Sequence, residues 1–165
     1  MFIIVFVSLA VVGATVHLLA SSESRSQQRM ADIFLLYWFV FAVGLTGIFG
    51  FVGHTFLADR VAASIGWAPG SPFQQEVAFA DLAFGILGIL CVFIRGNFWL
   101  ATTVAVTIML FGDAAGHVMQ MVRHGNHHAG NSGAILWGNI LIPLVAIGLL
   151  IYRSRAGSPE RPRKA

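Results

Sequence analysis

Five apolar blocks, each long enough to cross a bilayer, make up most of this 165-residue chain. They run over about 2–20, 31–53, 73–94, 98–122 and 134–152, parted by short polar links. Hydrocarbon about 30 Å thick takes roughly twenty residues of α-helix, and within it every backbone N–H and C=O must be satisfied inside the segment. The expected fold is therefore all-α, a polytopic membrane bundle of five transmembrane helices forming one domain over 1–152. Composition agrees: 57% of residues are hydrophobic and 10% charged, where soluble domains carry about 25% charge. A net charge of +3 is no nucleic-acid footprint, because five of the ten Lys and Arg lie in the last thirteen residues. That stretch, 153–165, reads as a basic, disordered cytoplasmic tail drawn to anionic lipid. The one cysteine, Cys91, sits in an apolar run and reads as a small buried hydrophobe; it excludes an internal disulfide.

Charge also sets direction. The first block lacks a basic segment ahead of it, and Arg25 and Arg29 follow it, so an uncleaved helix with its N-terminus outside is expected rather than a signal peptide. An N-out, C-in arrangement leaves eight of the ten cations inside and only Arg60 and Arg123 outside, which obeys the positive-inside rule. The expected location is a cell membrane, plasma or inner.

The polar residues are then sorted by depth. Residues 53–81 carry His54, Asp59, Arg60, Glu76 and Asp81, groups that a bilayer disfavours unless they pair, bind an ion or face water. Between the second and third spans, LADRVAASI reads as a short interfacial helix, with Trp67 at headgroup depth. Ser71-Pro72-Phe73-Gln74 reads as a helix start, serine as N-cap and Gln74 closing a capping box; Glu76 falls in the first turn, where the helix dipole favours a carboxylate. Gly44, Gly47 and Gly50 share a narrow face with His54, and Asp81 shares one with Gly85 and Gly88; small residues so placed let helices approach closely, within the chain or in a homo-oligomer. In the fourth span Asp113, His117, Gln120 and His124 fall on one helical face, with His127 and His128 in the following loop. Pro143 in the fifth span frees a carbonyl near Asn139. Five of the six histidines gather at the outer end of this topology, with His17 alone at the inner end.

Gly53-His54, Ala58-Asp59, the run Ser64-Ile65-Gly66-Trp67-Ala68-Pro69-Gly70-Ser71-Pro72-Phe73-Gln74 with Glu76-Val77, Gly112-Asp113 with Gly116-His117, and Asn126-His127 with Gly130-Asn131 are distinctive in combination. Together they resemble the signature of an uncharacterised family of prokaryotic multi-pass membrane proteins, over roughly residues 34–150, leaving out the first span and the tail. The resemblance implies the same architecture and points at the same polar residues; it implies no activity.

Three functions are compatible with these residues. Asp113 and His117, at i and i+4, present a carboxylate and an imidazole to one point, and His54 and Glu76 from neighbouring helices would complete a metal site. Two imidazoles and two carboxylates suit a divalent zinc, iron or manganese ion, with Asp59, Asp81 or His127 behind them orienting an imidazole. Redox or hydrolytic chemistry on a membrane-soluble substrate would follow. The second function is a proton- or cation-coupled transporter built on Asp81 and Asp113, although only Thr107, Thr103 and Thr102 continue a polar track inward. The third is a non-catalytic structural or accessory subunit, in which Asp59–Arg60 is an exposed pair and Glu76 a capping group. Whether the protein is an enzyme stays open at this point.

Overall fold

The computed structural model describes residues 2–156, and among these every regular element is helical. In chain order they are α1 (Phe2–Ala20), α2 (Gln27–Tyr37), a π-helical segment (Trp38–Leu45), α3 (Thr46–Phe56), α4 (Ala58–Ile65), α5 (Phe73–Leu90), α6 (Asn97–His124), the single turn α7 (Ala129–Ser132) and α8 (Ala134–Ala156). Five helices are long and apolar enough to cross a membrane: Phe2–Ala20, Gln27–Phe56, Phe73–Leu90, Asn97–His124 and Ala129–Ala156. Helix α4 lies in the link between the second and third of them.

Local chemistry explains where these helices begin and end. The second span starts at Gln27 rather than near residue 31, because Ser26 has extended backbone angles and its hydroxyl accepts the Arg29 N–H. Arg29 then folds back to donate to the carbonyls of Glu23 and Ser24 and to the Ser21 hydroxyl, and it pairs with the Glu23 carboxylate at 3.0 Å. One side chain thus ties down the whole link after α1. Helix α4 stops at Gly66, where φ of +84° suits glycine, and the Trp67 N–H closes back on the Ala62 carbonyl. The capping box at Ser71 does not form. Pro72 is the N-cap, no side chain caps the helix, and Gln74 turns inward instead. The Ala58 carbonyl takes the Gln74 amide N–H and His54 Nδ1–H takes its oxygen, in place of the exposed N–H of the cap.

The glycine faces are used inside the chain. A Cβ at Gly47 would sit 2.5 Å from the Asp81 carbonyl oxygen and 2.8 Å from the Gly85 nitrogen, and one at Gly88 would sit 2.6 Å from both the Gly44 nitrogen and the Phe39 carbonyl oxygen. Backbone therefore packs on backbone along the α3–α5 seam, with the π-helical segment at its deep end. Here van der Waals contact, rather than expulsion of water, holds two apolar helices together.

At the opposite end from the histidine-rich loop, the core closes around Trp99. It is fully buried, with its Nε1–H donating to the Cys91 carbonyl at 2.8 Å, and Arg95 and Arg153 lie over its ring at 5.7 and 5.4 Å. Cys91 is buried beside it. Helix α8 runs to Ala156, four residues past the expected end of the span, so Arg153 is helical and pairs with Asp32. The remainder of the expected tail, 157–165, lies outside the described residues. Both partners of that pair keep about a quarter of their side-chain surface exposed. Asp32→Asn is accordingly expected to cost about 1 kcal/mol or less in a thermal melt.

Candidate functional site

The α5 and α6 helices do not close on each other as α3 and α5 do. Gly112 and Gly116, on the α6 face, would meet no atom within 4 Å if given a Cβ. Between them and the α3–α5 pair lies a partly open cavity of about 640 Å³. That is within the range of about 300–1,000 Å³ of small-molecule sites. Its floor is apolar, with Ala42, Val43 and Ile142 among its residues, and its rim includes the half-exposed side chains of Leu57, Trp67 and Phe73. Four of the residues singled out from sequence line it: His54, Asp81, Asp113 and His117.

Each imidazole is held by a buried amide. Asn131, at 0% exposure, donates from Nδ2 to the carbonyls of His117 (3.1 Å) and Asn126 (2.9 Å). Its Oδ1, 2.8 Å from His117 Nδ1, must therefore be an acceptor, and Nδ1 must carry a proton. The same logic applies across the cavity. Gln74 donates from Nε2 to the Ala58 carbonyl at 2.9 Å, so its Oε1 accepts from His54 Nδ1 at 3.1 Å. In the neutral form both histidines then carry their lone pair on Nε2, which has no hydrogen-bond partner among the described residues. Trp67 lies nearly parallel to the His117 ring, 16° between planes and 6.4 Å between centroids, which limits how that ring can tilt.

The loop after α6 is the frame of this arrangement. Asn126 donates to the Ile65 carbonyl at 2.8 Å and accepts from the His128 N–H at 3.2 Å, joining α4 to α7. A Cβ at Gly130 would sit 2.6 Å from the Ser64 carbonyl oxygen, so the two segments touch through backbone. The link 125–133 is thus a scaffold that seats Asn131 behind His117.

The carboxylates differ in kind. Asp81 packs its Oδ2 against bare Gly50, where a Cβ would come within 2.5 Å. Asp113 stands one turn before His117 on α6. Neither has a hydrogen bond or an ion pair among the described residues. Asn139, one turn before Pro143, also lines the cavity; it is 7% exposed, and its side-chain amide has no partner there.

The remaining sequence candidates lie elsewhere. Glu76 is exposed on α5 and does not line the cavity. Asp59 accepts the Gly70 N–H at 3.1 Å, closing the link between α4 and α5 rather than orienting an imidazole. His127 is exposed, and its carbonyl accepts from the Ser132 hydroxyl. His17 meets the Tyr37 hydroxyl at 3.3 Å, away from the site. Among the described residues no group of three or more His, Cys, Asp or Glu side chains is arranged to hold a metal ion. Gln74, Asn131 and Asn139 were not singled out from sequence. Asn131 stood in the Gly130-Asn131 pair of the resemblance, Asn139 was marked only through Pro143, and Gln74 was assigned to the cap.

No curated protein and no solved structure matches the chain. A family profile matches residues 1–159, including the first span that the motif resemblance left out. The chain belongs to that family, described as a family of unknown function, DUF6790.

Proposed function

We propose that the protein lies in a cell membrane, plasma or inner, with its N-terminus outside, its C-terminus inside and α4 at the outer interface. The positive-inside balance supports this orientation, and it sets the cavity's polar residues toward the outer face. In that cavity the protein binds a membrane-soluble molecule with an apolar body and a hydrogen-bonding head, and it exchanges protons with that head. The observation carrying this reading is the pair of imidazoles, each pinned through Nδ1–H by a buried amide oxygen and each with Nε2 unpartnered among the described residues, in one cavity with apolar walls. A fixed Nε2 is what a general base needs, since the orientation is set before anything binds. Asp81 and Asp113 stand by to stabilise an imidazolium or a cationic head. We read the motif residues around His54, Asp113, His117 and Asn131 as the family's signature for this site.

A terminally brominated long-chain alcohol tests the reading, because bromine quenches a nearby indole and Trp67 lines the cavity. In nonionic detergent the probe should quench wild type more than Trp67→Phe. Gly116→Leu should abolish that difference by filling the space beside α6. A Cβ at this position meets no atom within 4 Å, and removing a helical glycine is expected to raise stability by about 0.5–1 kcal/mol. Equal quenching of wild type and Gly116→Leu would overturn the reading.

A second reading is a divalent zinc, iron or manganese ion, which the amide-held imidazoles favour, since bound Nδ1–H leaves Nε2 as the ligand. It needs His54 or Asp81 to close on Asp113 and His117, with Glu76 outside the set. Elemental analysis of wild type beside His117→Ala, purified without chelator, decides it: one metal per chain lost in the variant supports it, and none in either removes it.

A further inference from the structure

We infer that the molecule bound in this cavity carries a protonated amine, so that the ligand class is a lipophilic ammonium with N–H donors. The inference rests on the reading of the cavity as an amphiphile site and adds the chemistry of the head group. The charge on the wall is of one sign. Asp81 and Asp113 line the cavity, and among the described residues no Lys or Arg does. The ion pairs among the described residues use Glu23 and Asp32, so neither cavity carboxylate is in an ion pair with another described residue. Carboxylates taken from water are stable beside a counter-charge, and a cation arriving from the membrane would supply it.

Hydrogen-bonding capacity sharpens the class. The Nδ1 protons of His54 and His117 are already spent on Gln74 and Asn131, so the two Nε2 atoms face a ligand as acceptors. The carboxylates are acceptors as well. A primary ammonium has donors and no acceptor, which matches this set. An alcohol offers one donor, and a fatty carboxylate brings charge of the wrong sign. Unpartnered groups on buried residues point to a ligand independently of the acids. His117 and Asn139 are each 7% exposed and line the cavity, Nε2 of the one and the amide of the other having no partner among the described residues. Trp67 and Phe84 also line the cavity.

The test compares three probes of one brominated chain, ending in a primary amine, a trimethylammonium or an alcohol, by Trp67 quenching in nonionic detergent with Trp67→Phe as background. The amine should bind wild type at least tenfold more tightly than the alcohol. Asp113→Asn and Asp81→Asn should each lower that preference by tenfold or so. Those near-isosteric variants keep the side-chain volume, and Trp67 quenching by the alcohol above the Trp67→Phe background shows that the cavity is still formed in them. Trimethylammonium should fall well below the amine, because it carries the charge without the donors. If the alcohol quenches Trp67 and the amine binds no tighter, the cationic head group is wrong and the amphiphile site stands. If trimethylammonium equals the amine, the acceptor argument fails. If no probe quenches Trp67 beyond background, the amphiphile site itself is wrong, and this inference falls with it.

Discussion

Gly88→Ala is expected to destabilise the bundle by about 2–3 kcal/mol, the scale of overpacking in a core that cannot relax. The new methyl would lie 2.6 Å from the Gly44 nitrogen and the Phe39 carbonyl oxygen. Both are backbone atoms of the neighbouring span, so no side chain can swing away. The span must instead shift as a body, at the π-helical segment where its hydrogen bonding is already irregular. Gly47→Ala should behave alike, its methyl meeting the Asp81 carbonyl and the Gly85 backbone. Gly112→Ala is the control: same substitution, also in a helix, with no atom within 4 Å, and an expected gain of about 0.5–1 kcal/mol. Thermal melts of the three variants in one detergent check this. If Gly88→Ala melts with Gly112→Ala, the α3–α5 seam is not packed as described.

Asn131→Ala should cost about 3 kcal/mol, because three hydrogen bonds are lost at a fully buried residue, with the Asn126 carbonyl and an imidazole N–H losing their partner and the helical His117 carbonyl losing its second bond. Its consequence for the site is separate from its cost. Without Oδ1 the His117 Nδ1 proton is no longer pinned, the tautomer is free to exchange, and nitrogen chemical shifts of the imidazole should move toward an averaged value. Asn131→Asp distinguishes a packing role from the proposed one. The substitution conserves volume and keeps an acceptor for His117, yet it sets a carboxylate against two carbonyl oxygens that need donors. It should therefore be at least as destabilising as alanine. A mild aspartate variant would mean that Asn131 merely fills space.

Part of the site is legible in the sequence. Asp113 and His117 reach one cavity because i and i+4 share a helix face, and the glycines at 44, 47 and 50 mark the face on which a neighbour sits, because nothing else lets backbones touch. Glu76 shows the limit of such arguments. Its position in the first turn of α5 was read correctly, yet two residues away Gln74 points inward and Glu76 points out, a rotation that helical spacing alone does not assign. Gln74 shows another limit. Ser71-Pro72-Phe73-Gln74 satisfies a local rule for a capping box, and that reading failed because His54 and the Ala58 carbonyl offer the amide buried partners. The rule weighs only neighbours in sequence, while those partners come from 16 and 20 residues away. Asn131 lay in a short polar loop that reads locally as a turn, and its value comes from a histidine on another helix.

What the sequence determined by itself is the all-helical set of five apolar segments long enough to cross a membrane, since hydrocarbon admits few other backbones and leaves the pattern plain in composition. It also marked the face at Gly44 and Gly47 on which a neighbour packs by backbone, but the small-xxx-small pair Gly112 and Gly116, with the same helical spacing, meets no neighbour within 4 Å. The tertiary structure alone decided which polar groups meet. His54, Asp81, Asp113 and His117 share a cavity, and Asp59, Glu76 and His127 do not. That outcome depends on helix rotation and on the gap beside Gly112 and Gly116, where α5 and α6 fail to close. Both come from side-chain packing summed across the bundle, and no short stretch of chain encodes them.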